Sequence, residues 1–399
     1  MNTNRTYRGR ASLFAICYLA YCVIYVARLN FTVGAAQLQT TGVLSTAQIG
    51  IIGSVFALVY AICKVPAGYL GDRFPAGTLI MTGLLITGLS NIAIGLRLAF
   101  LPMAVLWAVN AAGQAMLWGP MVRSLACAFG ETRGKRACMY LSTAVGVGSI
   151  VGLLLAARCA SSLGVAACFL VPGGAAILTA LPVRLLLGRQ ETAPGAQRVP
   201  LRTSLGVFRD PSFRRVVLPA VAHGMIKDNL NVFLGVYFVD RFSLNVSAMA
   251  GYVFFVPLMA LTGRLLYPVF YRVLREENRV SCAGFALTAL ALLPLPLHGL
   301  TAPGAMICLG VVSAMVSMIN AQLLSVFPVR FAAAGSASFA ASVLDFITYG
   351  GAGLGALLFG VLIQHYGYNS MFAVWMAGAM ISALTMRRGT AVNGREDLT

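Results

Sequence analysis

Charge is what this sequence most lacks. Only 10% of its 399 residues are Asp, Glu, Lys or Arg, where a soluble domain carries about a quarter. Such a chain has too little polar surface to face water on all sides. Acidic residues are the scarcest, 11 against 29 Lys and Arg. Histidine occurs three times, at His223, His298 and His365, too dispersed for a metal centre or a Ser/His/Asp triad. No other catalytic constellation is present, so an enzyme is not expected. The nine cysteines, among them Cys17, Cys22, Cys63, Cys127 and Cys308, fall mostly inside apolar runs without ligand spacing, as small packing residues do. No metal and no cofactor is expected. The apolar runs lack strict alternation, which argues against a barrel and leaves helices as the structure a bilayer accepts. No glycine-rich phosphate loop follows a strand, so an ATP-driven motor is excluded and any transport is secondary or facilitated. Low-complexity tracts and a soluble accessory domain are missing as well.

What the chain has in abundance is apolar sequence, 59% of its residues, gathered in runs of about twenty or more, long enough to span a bilayer. Spans are predicted near 11–38, 47–70, 77–98, 100–128, 137–161, 163–187, 213–240, 247–273, 279–299, 302–328, 335–363 and 367–386. The basic start, Arg5, Arg8 and Arg10, invites a secretory-signal reading. The run from Ala11 to Gln37 is too long for a signal core, and it is read as the first span. The loops test the count. With the N-terminus inside, the inner loops hold Arg73, then Arg133, Lys135 and Arg136, then the Arg184–Arg215 stretch, then Arg272, Arg275 and Arg279, then Arg330; the tail adds Arg387, Arg388 and Arg395. Outer loops hold Arg97, Arg158 and Arg241, and two of them carry no charge. This positive-inside asymmetry predicts a multi-pass protein of the cell membrane with both termini cytoplasmic. It also accounts for the net charge of +18 without nucleic acid, since the basic residues do not share a face.

The longest polar stretch divides the chain near its middle. We therefore expect a six-helix half over 1–187, a cytoplasmic linker over 188–212, a second six-helix half over 213–388 and a tail over 389–399. The halves echo each other: GYLGDRFPAG (Gly68–Gly77) closes the second span where LTGRLLYPVFYRVLR (Leu261–Arg275) closes the eighth, the sign of an internal repeat.

Charges inside spans are costly and default to functional sites. Five cations qualify: Arg28, Lys64, Arg123, Lys227 and Arg264. Arg123 and Arg264 lie toward cytoplasmic ends, where snorkelling or loop pairing suffices. Arg28 and Lys227 lie deep in the first span of each half and are expected to face one another across a central cavity. Helical spacing gives polar stripes around them: Tyr18, Tyr21, Tyr25, Arg28 and Thr32; Tyr60 and Lys64; Asn110, Gln114 and Trp118; His223, Lys227 and Asn231; Ser338, Ser342, Asp345 and Tyr349. A tyrosine stripe by itself marks packing, whereas several stripes centred on a charge or amide mark a wet cavity.

YVARLNF (Tyr25–Phe31), STAQIGIIGSVFALVYAICKVPAGYLGDR (Ser45–Arg73), HGMIKDNLNVFLGVYF (His223–Phe238) and PVRFAAAGSASFAASVLDFITYGGAGLG (Pro328–Gly355) resemble the organophosphate:phosphate antiporter branch of the major facilitator superfamily, to which the glycerol-3-phosphate and hexose-phosphate exchangers belong. The resemblance implies an all-α integral membrane protein with twelve helices in two pseudo-symmetric halves, working by alternating access. By position it carries the branch's phosphate-binding arginine to Arg28, its second-span lysine to Lys64 and its seventh-span cation to Lys227, where the branch usually has arginine. The superfamily's loop motif falls on Gly68, Asp72 and Arg73. The branch's fifth-span histidine has no counterpart, Thr143 standing about there, and Asp345 brings a carboxylate where relatives are usually neutral.

The resulting expectation is a monomeric transporter in the lipid bilayer that exchanges a small organic anion, a phosphorylated metabolite, for inorganic phosphate. Tyr25, Arg28, Tyr60, Lys64, Asn110, Gln114, Lys227, Asn231, Asp345 and Tyr349 would surround the cargo, and Gly68, Asp72, Arg73 and Arg123 would form the gate. Asp345 is expected to pair with Lys227 or Arg28. Two alternatives stay open at this point: proton-coupled uptake of a carboxylate or other organic anion with Asp345 as proton carrier, and a substrate sensor on a transporter scaffold.

Overall fold

In a hydrocarbon slab every backbone amide must bond within its own segment, and this chain meets that demand with helices throughout. The computed structural model describes residues 3–96, 99–188, 200–243 and 246–387. The expectations placed on Arg97, Arg388, Arg395, residues 189–199 of the linker and the tail, and on the side chains of Arg5 and Arg8, lie outside the described residues.

The first half consists of α1 (Thr3–Thr40), α2 (Thr46–Arg73), α3 (Ala76–Leu96), α4 (Phe100–Ala115), α5 (Trp118–Ser142), α6 (Ala144–Leu163) and α7 (Ala167–Gly188). After the short linker helix α8 (Leu201–Leu205) come α9 (Pro211–Phe242), α10 (Val246–Leu274), α11 (Glu277–Leu292), α12 (Ala302–Asn320), α13 (Ala337–Tyr366) and α14 (Tyr368–Arg387). Local chemistry sets the ends. Ser45 and Gln48 form a reciprocal capping box on α2, closing two orphan amides at once. Asp210 and Pro211 start α9, and Thr301 accepts from the Gly304 amide to start α12.

Helices and spans do not correspond one to one. The fourth span is α4 plus the first part of α5, interrupted at Met116 and Leu117. The chain reverses inside α5 at Gly130 (φ 73°, ψ 174°), a left-handed turn suited to glycine. The fifth span is the rest of α5 followed, after a break at Thr143, by α6. The ninth span is shorter than expected, since α11 stops at Leu292 just before Pro294 and Pro296. The tenth continues from α12 through a π-helical turn at Ala321–Val326. The count remains twelve.

Packing repeats between the halves. The α1–α6, α2–α4 and α3–α7 contacts of the first half recur as α9–α13, α10–α12 and α11–α14 in the second. Each half buries its own core, one around Ile24, Leu84 and Met121 and the other around Phe213, Phe285 and Trp375. Leu101, Leu178, Leu357 and other large apolar side chains stay on the outside, as lipid contact requires. The halves meet chiefly through α2 and α5 of the first and α13 and the π-turn of the second.

Candidate anion site between the halves

Arg28 sits where α1, α2, α4 and α13 converge. Its Nε donates to Gln114 Oε1 at 2.7 Å, and its Nη1 donates to the Tyr349 hydroxyl at 3.5 Å. The guanidinium lies over the rings of Tyr60 (4.4 Å), Tyr25 (4.9 Å) and Phe56 (5.3 Å), an arrangement in which the negative ring faces attract the cation. Among the described residues no carboxylate forms an ion pair with it. Gln114 is steered in turn by Asn110 Oδ1 at 3.1 Å, and both amides are fully buried behind the arginine. Expected to line the cavity, Asn110 and Gln114 instead orient Arg28 from behind.

Lys64 on α2 is fully buried and pairs with Asp345 on α13 at 2.6 Å. This corrects the expected partners, Lys227 and Arg28. The reason is a helix crossing: one turn further along, Gly68 lets α2 approach Ser342 so closely that a Cβ there would collide with it. Lys227 lies on α9 with its side chain 20% exposed, and its nearest acid is its own neighbour Asp228, 3.2 Å away. Its ammonium stands 5.5 Å from the centre of the Tyr349 ring. Tyr349 thus touches the cation of each half, its hydroxyl reaching Arg28 and its ring facing Lys227. Tyr60 similarly stands between Arg28 and Lys64, whose ammonium is 4.5 Å from the ring. Asn231 is exposed and bonds only back to its own helix at the Lys227 carbonyl, so it faces open space one turn beyond the cations.

On the face where both termini lie, the halves are sealed. The Asp72 carboxylate accepts from the amides of Ser338 (2.9 Å) and Phe339 (2.8 Å) at the start of α13, where the helix dipole favours an anion. Gly71 packs against Ser338, whose Oγ occupies the place a Cβ would need. Arg123 donates to the Gly71 and Phe74 carbonyls and so clamps the end of α2. Arg73 does not enter this contact: it is exposed and donates to Tyr69 of its own helix. Being adjacent to Asp72, it points around the helix, away from α13.

Three features of the interface escaped the sequence reading. Glu277 is buried and joins Lys135 of the first half (3.0 Å) to Arg330 of the second (2.6 Å); the acid opens α11, and no spacing rule reveals its neighbours there. Trp118 leaves the stripe assigned to it because the helix breaks two residues earlier, and its indole donates to the Leu324 carbonyl at 3.0 Å. That acceptor lies in the π-helical turn, where the ordinary helical pattern is interrupted. Arg264 was expected to snorkel or to pair with a loop at a cytoplasmic end. It is 5% exposed, ten residues from the end of α10, and it snorkels nowhere. His223 is also fully buried and donates through Nε2 to the Val316 carbonyl at 3.1 Å.

Residues 17–348 match the family described as the Major Facilitator Superfamily. Among curated proteins, the chain is 29% identical to "Membrane sensor protein UhpC" of Escherichia coli (strain K12) over 43% of this chain and 39% of that one. It is 36% identical to "Probable hexose phosphate transport protein" of Chlamydia muridarum over 29% of this chain and 25% of the relative. The matched segments thus span well under half the length of these relatives. A longer match, 25% identical, covers 94% of this chain and 88% of "Phosphoglycerate transporter protein" of Salmonella typhimurium. In architecture the chain is similar to the solved structure of "a Major Facilitator Superfamily (MFS) transporter, FucP, in the outward conformation", with a TM-score of 0.75, 18% identity and coverage of 94% and 97% of the two chains.

Proposed function

Because the chain belongs to the major facilitator superfamily, we propose that it is a secondary transporter exchanging a small phosphorylated metabolite for inorganic phosphate. The observation carrying this reading is the state of Arg28, a guanidinium aimed by Gln114 and three aromatic rings yet neutralised by no carboxylate. Uncharged groups orient a cation without cancelling it, and so leave its charge to an incoming anion. Lys227 supplies a second cation from the other half. Lys64 is already satisfied by Asp345, so its part is to join α2 to α13 beneath the site. Exchange follows from the same charges: closing the halves over an empty site would bury cations without partners, which is costly, and a counter-anion removes that cost.

In this reading the sealed face is cytoplasmic, as the arginine-rich loops favour, and the site communicates with the outside. The functional unit is a monomer, with residues 1–187 and 213–388 rocking about the site. The names of the phosphoglycerate and hexose-phosphate relatives support the organophosphate class.

Proteoliposomes loaded with inorganic phosphate test this. Labelled phosphate should exchange, and external glycerol 3-phosphate, hexose phosphate or phosphoglycerate should compete, whereas unphosphorylated carboxylates should not. Carboxylate uptake driven by a pH gradient, with no phosphate exchange, would overturn the reading. A second reading, substrate sensing without flux, is favoured by the similarity to a protein named as a membrane sensor. Phosphate binding without exchange would select it.

A further inference from the structure

The pairing of helices between the halves makes α10 the counterpart of α2. Lys64 stands four residues before Gly68 and nine before the end of α2; Arg264 stands four before Pro268 and ten before the end of α10. The cations within spans therefore form two corresponding sets, Arg28 with Lys227 and Lys64 with Arg264. The second set is unequal. Lys64 has Asp345 on α13. The fifth span corresponds to α13 in the first half, and its residues 134–163 contain no Asp or Glu at all. Accordingly, Arg264 forms no ion pair and no hydrogen bond among the described residues, and its Nε is sealed from solvent without a partner. A buried charge left uncompensated is among the costliest features a structure can retain.

Its surroundings belong to the site already described. Arg264 lies within electrostatic reach of Tyr25 and Tyr21 across the half-to-half interface. Tyr25 also carries Arg28, at 4.9 Å. His223, one turn along α9 from Lys227, lies within reach of both Lys227 and Arg264. Arg264 thus shares a neighbour with Arg28, through Tyr25, and with Lys227, through His223. Cations that share neighbours in this way suit two anionic groups joined by a short carbon skeleton.

We propose that Arg264 is a second anion-binding residue of this site and that the cargo carries two anionic groups, a phosphate held at Arg28 and Lys227 and a carboxylate taken by Arg264. The inference rests on the organophosphate reading and narrows it to phosphorylated carboxylic acids. A cargo with one anionic group leaves Arg264 uncompensated, whereas one with two neutralises each uncompensated cation of the interface as the halves rock.

The test compares 3-phosphoglycerate with glycerol 3-phosphate, which differ by a carboxylate in place of a hydroxymethyl group, each exchanged against phosphate in proteoliposomes. Wild-type protein should show a KM lower by roughly tenfold or more for the two-headed compound. Arg264→Gln should erase that ratio by raising the KM for 3-phosphoglycerate at least about fivefold more than the KM for glycerol 3-phosphate. Arg264→Lys, which keeps the charge, should retain part of the preference. Phosphate exchange without any preference overturns the inference alone. So does an Arg264→Gln protein that loses both compounds in proportion, or an Arg264→Lys protein that exchanges phosphate but discriminates no longer. Absence of phosphate exchange in the wild-type protein overturns the organophosphate reading, and this inference with it.

Discussion

An arginine held by amides and aromatic rings responds to substitution differently from one held by a carboxylate, because removing it orphans no acid. Arg28→Gln should leave the fold intact while abolishing tight anion binding. Loss of one partner of a close charge contact costs about 2–5 kcal/mol, so the apparent affinity for phosphate should fall at least about thirtyfold. Arg28→Lys should keep part of it, lacking only the planar fork. Phosphate competition in proteoliposomes measures both. Asp345 behaves in the opposite way. Asp345→Asn strands a fully buried Lys64, which should destabilise by about 3–5 kcal/mol, whereas the double replacement Lys64→Met/Asp345→Leu should recover most of that loss. Thermal unfolding in detergent reads the difference. If Asp345 were a proton carrier, uptake by the wild-type protein would follow an imposed pH gradient; an ion-paired Asp345 predicts that it does not. That Tyr25 and Arg28 share one stripe was readable in the sequence, because helical spacing is a local property. The partner of Asp345 was not readable: Lys227 and Arg28 were expected, and only the placing of α2 against α13 brings Lys64 to it.

The crossing of α2 and α13 governs closure of the terminal face. Gly68 and Gly71 bring two backbones together there, and Asp72 caps the incoming helix. Gly71→Val places methyl groups where Ser338 Oγ lies, so this face should spring open. A cysteine introduced at Ser338 should then react with a water-soluble maleimide at least about tenfold faster than in a Gly71 background, taking up to roughly 2 kcal/mol of overpacking cost. Unchanged labelling would remove the crossing as the gate. At the start of α9, burial raises the Asp210 carboxyl, but the Ser212 hydroxyl, the amides of Ser212 and Phe213 and the nearby Arg330 outweigh it and hold the group below its ordinary range. A depressed carboxyl contributes its stability above about pH 4 and loses it as pH falls through the folded value. Asp210→Ala should therefore cost about 0.5–2 kcal/mol at neutral pH, and the difference from wild type in thermal unfolding should shrink as the medium is acidified below pH 4. The break at Met116–Leu117 and the π-turn at Ala321–Val326 were not readable in the sequence. Both answer to packing between halves, which no window of sequence contains.

For the molecule as a whole, topology is the most exposed prediction. In a cysteine-free background, Thr301→Cys should react with an impermeant maleimide in intact cells, and Ala333→Cys only after permeabilisation. Labelling of both from one side would overturn the orientation. The twelve spans, the internal repeat and the gathering of in-span charge on a few residues were already decided by the order of amino acids, because hydropathy, loop charge and helical phase act over one or two turns. Which cations remain without a partner was decided only by the folded chain. Lys64 meets Asp345, Lys227 leans on Asp228, and among the described residues no acid pairs with Arg28 or Arg264, because an ion pair requires approach within about 4 Å, and residues 281 positions apart in the chain reach that distance only when two whole helices cross.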